Sequence, residues 1–474
     1  MSEVLAENAK LRLDSGYFAK PMLEAEALIR SHHAGYDELG SLFSRFVKGI
    51  FDINASSYSE VGVPFLRILN LRNGVIDDGN LALIPEEIHE QEIKTQLKRG
   101  DVVLSKTAYP AASLVTLDIC NTSQDTIATT LSDYGRATYT PEAIVAYLNT
   151  TTGLSLLYRQ FQGNVQLHLS LDDGRKVPVP RLSLKIQNAV TTAFKKAEAL
   201  RTEAKQTYQK AESLLIETVG MADFSPSAES VNIKSFGDSF ASTGRLDAEY
   251  YQPKYEDFEH AVVNHLFGFT TIKTEFDLVN DTSRFDKPSY NYIEIGDVNV
   301  NDGTASANRL DVEVLPANAK KLVNRGDLIV SKVRPNRGAV AIIDFDATDL
   351  IVSGAFTVLR VKKDSVFANE TLKVLLRTKI YREWMLKFNI GTQYPVIRDE
   401  DILNLPIPCI DESTQRQIAS LVRQSHTLNA ESVRLLEAAK RAVEIAIEQD
   451  EAAGLAYLDS EEKTAVSPAP TSLQ

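Results

Sequence analysis

The 474-residue chain has only two cysteines, Cys120 and Cys409. That excludes a disulfide scaffold and a four-cysteine zinc site, and it fits a reducing compartment such as the cytoplasm. No run of about 18 apolar residues occurs, so no membrane span is expected. The first residues, MSEVLAENAKLRLD, are charged from position 3 and lack the apolar stretch of a secretory signal. Enzyme signatures are missing as well. There is no G-x-x-x-x-G-K-[ST], G-x-G-x-x-G, G-x-S-x-G or H-E-x-x-H, and no Asp-Pro-Pro or Asn-Pro-Pro tetrapeptide of the amino-methyltransferase type. The seven histidines are scattered. Basic residues are outnumbered, giving a net charge of -13. Global charge of that sign disfavours a nucleic-acid binder, although the local distribution decides.

What is present is a long internal repeat. Arg12-Leu13-Asp14 with Tyr17-Phe18 recurs as Arg245-Leu246-Asp247 with Tyr250-Tyr251. Arg99-Gly100-Asp101 followed by Val102-Val103-Leu104-Ser105-Lys106 returns as Arg325-Gly326-Asp327 followed by Leu328-Ile329-Val330-Ser331-Lys332. Phe161-x-Gly163 matches Phe388-x-x-Gly391, and Val177-Pro178-Val179-Pro180 matches Leu405-Pro406-Ile407-Pro408. The offsets stay between 226 and 233 residues and keep their order. The period is too long for a solenoid and indicates two copies of a domain-sized unit. The Arg-Gly-Asp glycines suit turns with positive φ. The Arg-Leu-Asp lead-ins are expected to dock against the long helices that follow.

After each Pro-x-Pro the period changes. Ile186, Val190, Ala193, Ala197, Leu200, Ala204, Tyr208, Ala211 and Leu215 are spaced by threes and fours. So are Ile418, Leu421, Ser425, Leu428, Ser432, Leu435, Ala439, Ala442 and Ala446. Apolar seams of this length predict two long helices that pair as an antiparallel coiled coil. The fold class is therefore α+β: two repeated globules separated by two long helices. The expected divisions are a lead-in over 1–34, a globule over 35–183 and a long helix over 184–220. Linker and repeated lead-in span 221–266, followed by a globule over 267–410 and a helix over 411–452. The Pro/Ser/Ala-rich end, 453–474, predicts a disordered tail.

The globule–helix–globule–helix order, the R-L-D-x-x-[YF]-[YF] lead-ins, the duplicated Arg-Gly-Asp motifs and Gly391-Thr392-Gln393 before the second Pro-x-Pro together resemble the specificity subunits of type I restriction–modification systems. The resemblance covers nearly the whole chain. It implies that each globule is a target recognition domain reading one half of a split double-stranded DNA sequence. It also implies that the helices space the two and dock two methyltransferase subunits, with restriction subunits as further partners. S-adenosylmethionine and catalysis would then belong to those partners, and this chain would be a non-catalytic cytoplasmic protein of phage defence.

The physical test of that expectation is local charge. Between residues 320 and 337 stand Lys320, Lys321, Arg325, Lys332, Arg334 and Arg337, with Asp327 the one acid. Arg334, Asn336 and Arg337 lie in a turn between two strand-like runs, where they suit base edges, while Lys320, Lys321 and Lys332 suit phosphates. Gln393 and Tyr394 form a second candidate. The first copy offers Arg72, Lys106, Tyr109 and Gln166. The competing reading is a non-catalytic coiled-coil scaffold whose two globules bind peptides or proteins, which the acidic balance would suit.

Overall fold

The computed structural model describes residues 12, 15–53, 55–72, 74–79, 81–163 and 167–464. The chain divides into two units, 1–201 with 429–474 and 202–428.

The first unit is built on two sheets. In one, the strands run 43–48, 126–131, 102–105, 112–114, 75–76, 71–72. In the other they run 82–84, 63–66, 119–122, 97–98. The second unit repeats this order without the last two strands of the first sheet: 276–278, 356–361, 328–331, 340–342 in one sheet and 308–311, 289–293, 350–353, 319–322 in the other. The duplication extends to strand direction. A single parallel pairing, Asn121 with Phe65 in one unit and Asn291 with Leu350 in the other, sits among antiparallel neighbours in each second sheet. The Pro-x-Pro segments close each unit as edge strands, Pro178–Pro180 against Tyr36–Glu38 and Pro406–Pro408 against Phe269–Thr271. Proline lacks the N–H an inner strand needs, so an edge position is what it tolerates.

Each unit also carries two consecutive short helices. Pro141–Leu148 is followed by Thr151–Gln160, and Asn369–Arg377 by Lys379–Trp384. A threonine makes each break: Thr150 Oγ1 accepts from the Gly153 amide and Thr378 Oγ1 from the Tyr381 amide. A capping side chain there starts a new helix instead of continuing the old one.

The long helices are Leu184–Thr218 and Glu412–Glu448, 35 and 37 residues, or about 52 and 55 Å at 1.5 Å per residue. Their seams are buried apart from Leu200, Leu421 and Leu428, which are half-buried. The helices are not free-standing spacers, however. In the first unit Ile186, Val190 and Ala197 join Leu435, Ala439 and Ala442 in one core with Phe46, Leu104 and Tyr147 of the sheets and helices. In the second, Tyr208, Leu215, Ile418 and Val422 share a core with Phe258, Leu328, Trp384 and Ile407. Small seam residues bring the backbones close. Ser432 Oγ donates to the Ala197 carbonyl in the first unit and Ser425 Oγ to the Ala204 carbonyl in the second, each at 2.7 Å. Within the first unit, Ser183 meets Glu451 while Ala197 meets Ser432, so the pairing is antiparallel.

Three expected boundaries change. Residues 453–464 are not a disordered tail: Glu451–Thr464 is a helix with Leu458 buried in the first core and Arg434 bonded to Glu461. A Cβ at Gly454 would stand 2.5 Å from the Ala442 carbonyl, so glycine permits the close approach. Residues 465–474 lie outside the described residues. Met221, placed in the linker, is buried in the second core. It follows Gly220, whose φ of +68° ends the first long helix. Part of the repeated lead-in is helical, Pro253–Val263, with Tyr255, Phe258 and Val262 in the same core.

Candidate nucleic-acid interface

In the second unit, strands Leu328–Ser331 and Val340–Ile342 pair antiparallel and present the segment between them as a compact turn. Arg334 enters it in the left-handed region at φ +50°, Pro335 starts a one-turn 3-10 helix over Pro335–Arg337, and Gly338 closes it at φ +75°. A non-glycine residue in that region is strained and persists only where its surroundings hold it. Here the Arg334 amide donates to the Pro395 carbonyl at 2.7 Å, and the Ile397 amide donates to the Lys332 carbonyl at 3.0 Å. Arg377 holds the far side, one guanidinium nitrogen donating to the Gly338 carbonyl and another to the Tyr208 hydroxyl. These bonds lay the Gly391–Pro395 turn beside the Arg334 turn. Asn389 Oδ1 shapes that turn by accepting from the Gly391 and Val396 amides. The two candidates read separately from the sequence thus form one surface. Arg334, Asn336, Arg337, Gln393 and Tyr394 are all exposed on it, with the Arg334 guanidinium 5.2 Å from the Tyr394 ring centre.

The cationic stretch is less free than its sequence suggests. Lys332 Nζ lies 3.2 Å from the Asp399 carboxylate. Lys321 Nζ lies 3.8 Å from it, with that side chain only 11% exposed. Burial pushes the Lys321 ammonium below its usual pKa range, with Asp399 opposing. Arg325 pairs with Asp346, and Asp327 takes both a bidentate bond from Arg360 and the Asn324 amide. Lys321 and Lys332, expected as phosphate ligands, are thus both paired with Asp399. Lys320 remains exposed.

The first unit holds its turn with the same backbone bonds. The Ala108 amide donates to the Leu167 carbonyl at 3.0 Å, the Leu169 amide donates to the Lys106 carbonyl at 2.7 Å, and Ala108 sits at φ +62°. Ala108 thus corresponds to Arg334, and Lys106 to Lys332. Tyr109 is 42% exposed, and its hydroxyl donates to the Ile68 carbonyl. Burial pushes its pKa up, against the pull of nearby Arg72, which is itself exposed. Lys106 is half-buried, its pKa lowered first by burial and then by Lys48. Lys48 stands 4.4 Å over the ring of Phe51, which is 70% exposed. Lys48 and Phe51 were not read as candidates from the sequence. Only the end of strand Phe43–Lys48 brings them to Lys106, some 55 residues on, and no local motif signals it. Gln166 lies outside the described residues.

Arg12 donates to the Arg159 and Phe161 carbonyls, and Arg245 to the Asn389 carbonyl. Each therefore grips the segment after the second short helix, beside the turns described above. Each also stacks on an aromatic ring of its own lead-in, Tyr17 or Tyr250. Leu13 and Asp14 lie outside the described residues. Glycine does what the Arg-Gly-Asp motifs require: Gly100 has φ +88° and Gly326 φ +92°. Among the described residues, no group of three or more His, Cys, Asp or Glu could hold a metal ion, and no helix is long and apolar enough to cross a membrane.

Comparison with known proteins finds a match to part of the chain. Residues 268–434 match the model of the type I restriction modification DNA specificity domain. A curated relative, the type I restriction enzyme HindI specificity subunit of Haemophilus influenzae, is 28% identical over 148 residues. The match takes in 30% of this chain and spans only 32% of that relative. Among solved structures, the type I restriction–modification S subunit from M. genitalium is similar over 93% of this chain and 97% of its own, with a TM-score of 0.37 and 10% identity. The HsdS subunit from Thermoanaerobacter tengcongensis covers 91% and 97%, with a TM-score of 0.25 and 14% identity. Residues 268–434 are thus similar to the specificity domain of type I restriction–modification systems, and the first copy shares the strand order of both main sheets of the second apart from two added strands.

Proposed function

We propose that this chain is the non-catalytic DNA-recognition subunit of a type I restriction–modification complex. It reads a bipartite target, one half with residues 35–183 and the other with residues 267–410. The observation that carries this reading is the pair of turns held alike in both copies, each presenting basic and aromatic side chains at the surface. In the second, Arg334 and Arg337 suit guanine O6 and N7, and Asn336 or Gln393 suits an adenine edge. In the first, Arg72, Lys106 and Tyr109 take the corresponding place, joined by Lys48. Methyl transfer and S-adenosylmethionine belong to two methyltransferase subunits docked on the complex, with restriction subunits added where cleavage occurs, all in the cytoplasm.

The test is the methylated motif of the host genome, with the native chain and with Arg334→Ala/Arg337→Ala. Degeneracy confined to one half-site is the expected result. Affinity measured against salt separates this reading from the protein-binding scaffold, because phosphate contacts weaken steeply with added salt and apolar grooves do not. A chain that binds peptides independently of salt and no duplex at all would end the proposal.

A further inference from the structure

Beside the second-copy turn lies a cleft of about 430 Å³ lined by Lys254, Asn336, Lys379, Arg382, Glu383 and Leu386. Lys254 comes from the helix Pro253–Val263, and Lys379, Arg382 and Glu383 from Lys379–Trp384. Three lining side chains are cationic and one is acidic. Glu383 is 3.8 Å from Lys379, whose side chain is 82% exposed, and a pair that open in water neutralises little. Arg382 is the more informative cation. Its Cδ would stand 2.9 Å from a Cβ at Gly338, so its stem is seated on the glycine that closes the Arg334 turn. Its Nε is buried and lacks a hydrogen-bond acceptor. A buried donor on a permanently charged group is costly to leave unmet.

We infer that this cleft binds a backbone phosphate of the duplex whose bases face Asn336. The inference rests on the function proposed above and extends it to residues outside the turn. A guanidinium fork with two ammonium groups matches the charge and acceptor geometry of a phosphodiester. Phosphate contacts fix register while base contacts carry sequence. Here Asn336 belongs to the turn and to the cleft wall, so one bound strand satisfies both.

The test uses the full chain and labelled duplexes, one carrying the methylated motif and one scrambled. Arg382→Gln and Lys379→Gln should each weaken both duplexes alike and leave the motif unchanged. Each lost contact should flatten the plot of log affinity against log salt by about 0.9, so the advantage of the native chain shrinks roughly threefold between about 50 and 200 mM salt. Arg382→Lys should recover part of the slope. Lys379→Gln guards against a folding artefact, because Lys379 is exposed. Native binding to the motif with unchanged affinity and slope in both variants overturns the cleft and leaves DNA reading intact. Lost discrimination at unchanged slope overturns it too, since Arg382 would then read a base. Tight binding of millimolar inorganic phosphate, with duplex affinity untouched by either substitution, assigns the cleft to a small anion instead. A native chain that binds neither duplex removes the proposed function and this inference together.

Discussion

The two copies use one backbone frame and two electrostatic designs. In both, a turn after the Ser-Lys strand is strapped by the same two amide bonds to the segment just before a further short helix, Leu171–Gly174 or Asp399–Leu403, with a left-handed residue at the same place. The side chains around that frame differ. Asp399 follows Ile397 by two residues and neutralises Lys321 and Lys332. The residue two after Leu169 is Leu171, so no carboxylate stands at the matching position, and the acid acting on Lys106 is Asp125. With the helices aligned on their caps, Thr150 on Thr378, buried Lys373 replaces buried Val145. Lys373 Nζ lies 2.6 Å from His426 Nε2, whose other nitrogen is 3.4 Å from Asp344. The difference teaches that topology settles where a turn is presented, while the charges beside it remain adjustable.

Exchanging residues between the copies tests this most directly, and Lys373→Val should have the largest effect. Burial, and then Arg377, lowers the pKa of Lys373 from 10.5 to about 7. Between those values the unfolded chain carries the proton and the folded chain does not. Stability of the second unit should therefore rise as pH climbs from about 7 to about 10.5, by up to about 1.4 kcal/mol per pH unit, and be flat for this group below 7. Arg377, Asp302, Asp344, Glu370 and His426 face the same site, and Asp344 is held below its usual range and titrates in acid. Lys373→Val should remove the alkaline slope and stabilise the unit at neutral pH. Denaturant titrations at several pH values would show it, and an unchanged slope would acquit Lys373.

Next in size is Asp399→Ala. It strands Lys321 in a buried site and should cost about 3 kcal/mol, the low end for a broken buried pair because Asp399 keeps some contact with water. The unfolding midpoint of the second unit reports this, and recovery in Asp399→Ala/Lys321→Met is the control. Arg334→Ala or Arg337→Ala should cost about 1–3 kcal/mol of duplex affinity and relax only the half-site read by the second copy. Selection from randomised DNA measures both quantities. Were both half-sites to blur together, the copies would not read independently. The smallest effect belongs to Leu171→Asp, which gives Lys106 the carboxylate that Lys332 has. Stability should fall by about 1 kcal/mol, because Leu171 packs half-buried against the first core, while duplex affinity falls for all sequences alike. An unaltered salt dependence would show that Lys106 does not meet phosphate.

The frame was legible in the sequence because it rests on local rules. Seam periodicity marked the long helices, paired Pro-x-Pro segments marked the closing edges, and glycine in Arg-Gly-Asp marked positive φ. Missed elements were those whose burial is supplied by a distant partner. Glu451–Thr464 has no strong apolar stripe and reads as an alanine-rich tail. It folds because Gly454 lets it approach Ala442 and because Leu458 finds a core. The capping threonines were short-range signals passed over inside apolar runs.

By itself, then, the sequence determined the duplication, the order of strands and helices, and the turns where two copies could present recognition side chains. Periodicity and backbone conformation act over a few residues, so they can be read along the chain. Only the tertiary structure decided which charges stay available. Asp399 lies 67 residues beyond Lys332, and Asp346 lies 21 beyond Arg325. Coulomb attraction and desolvation depend on distance and burial in space, which no run of residues records.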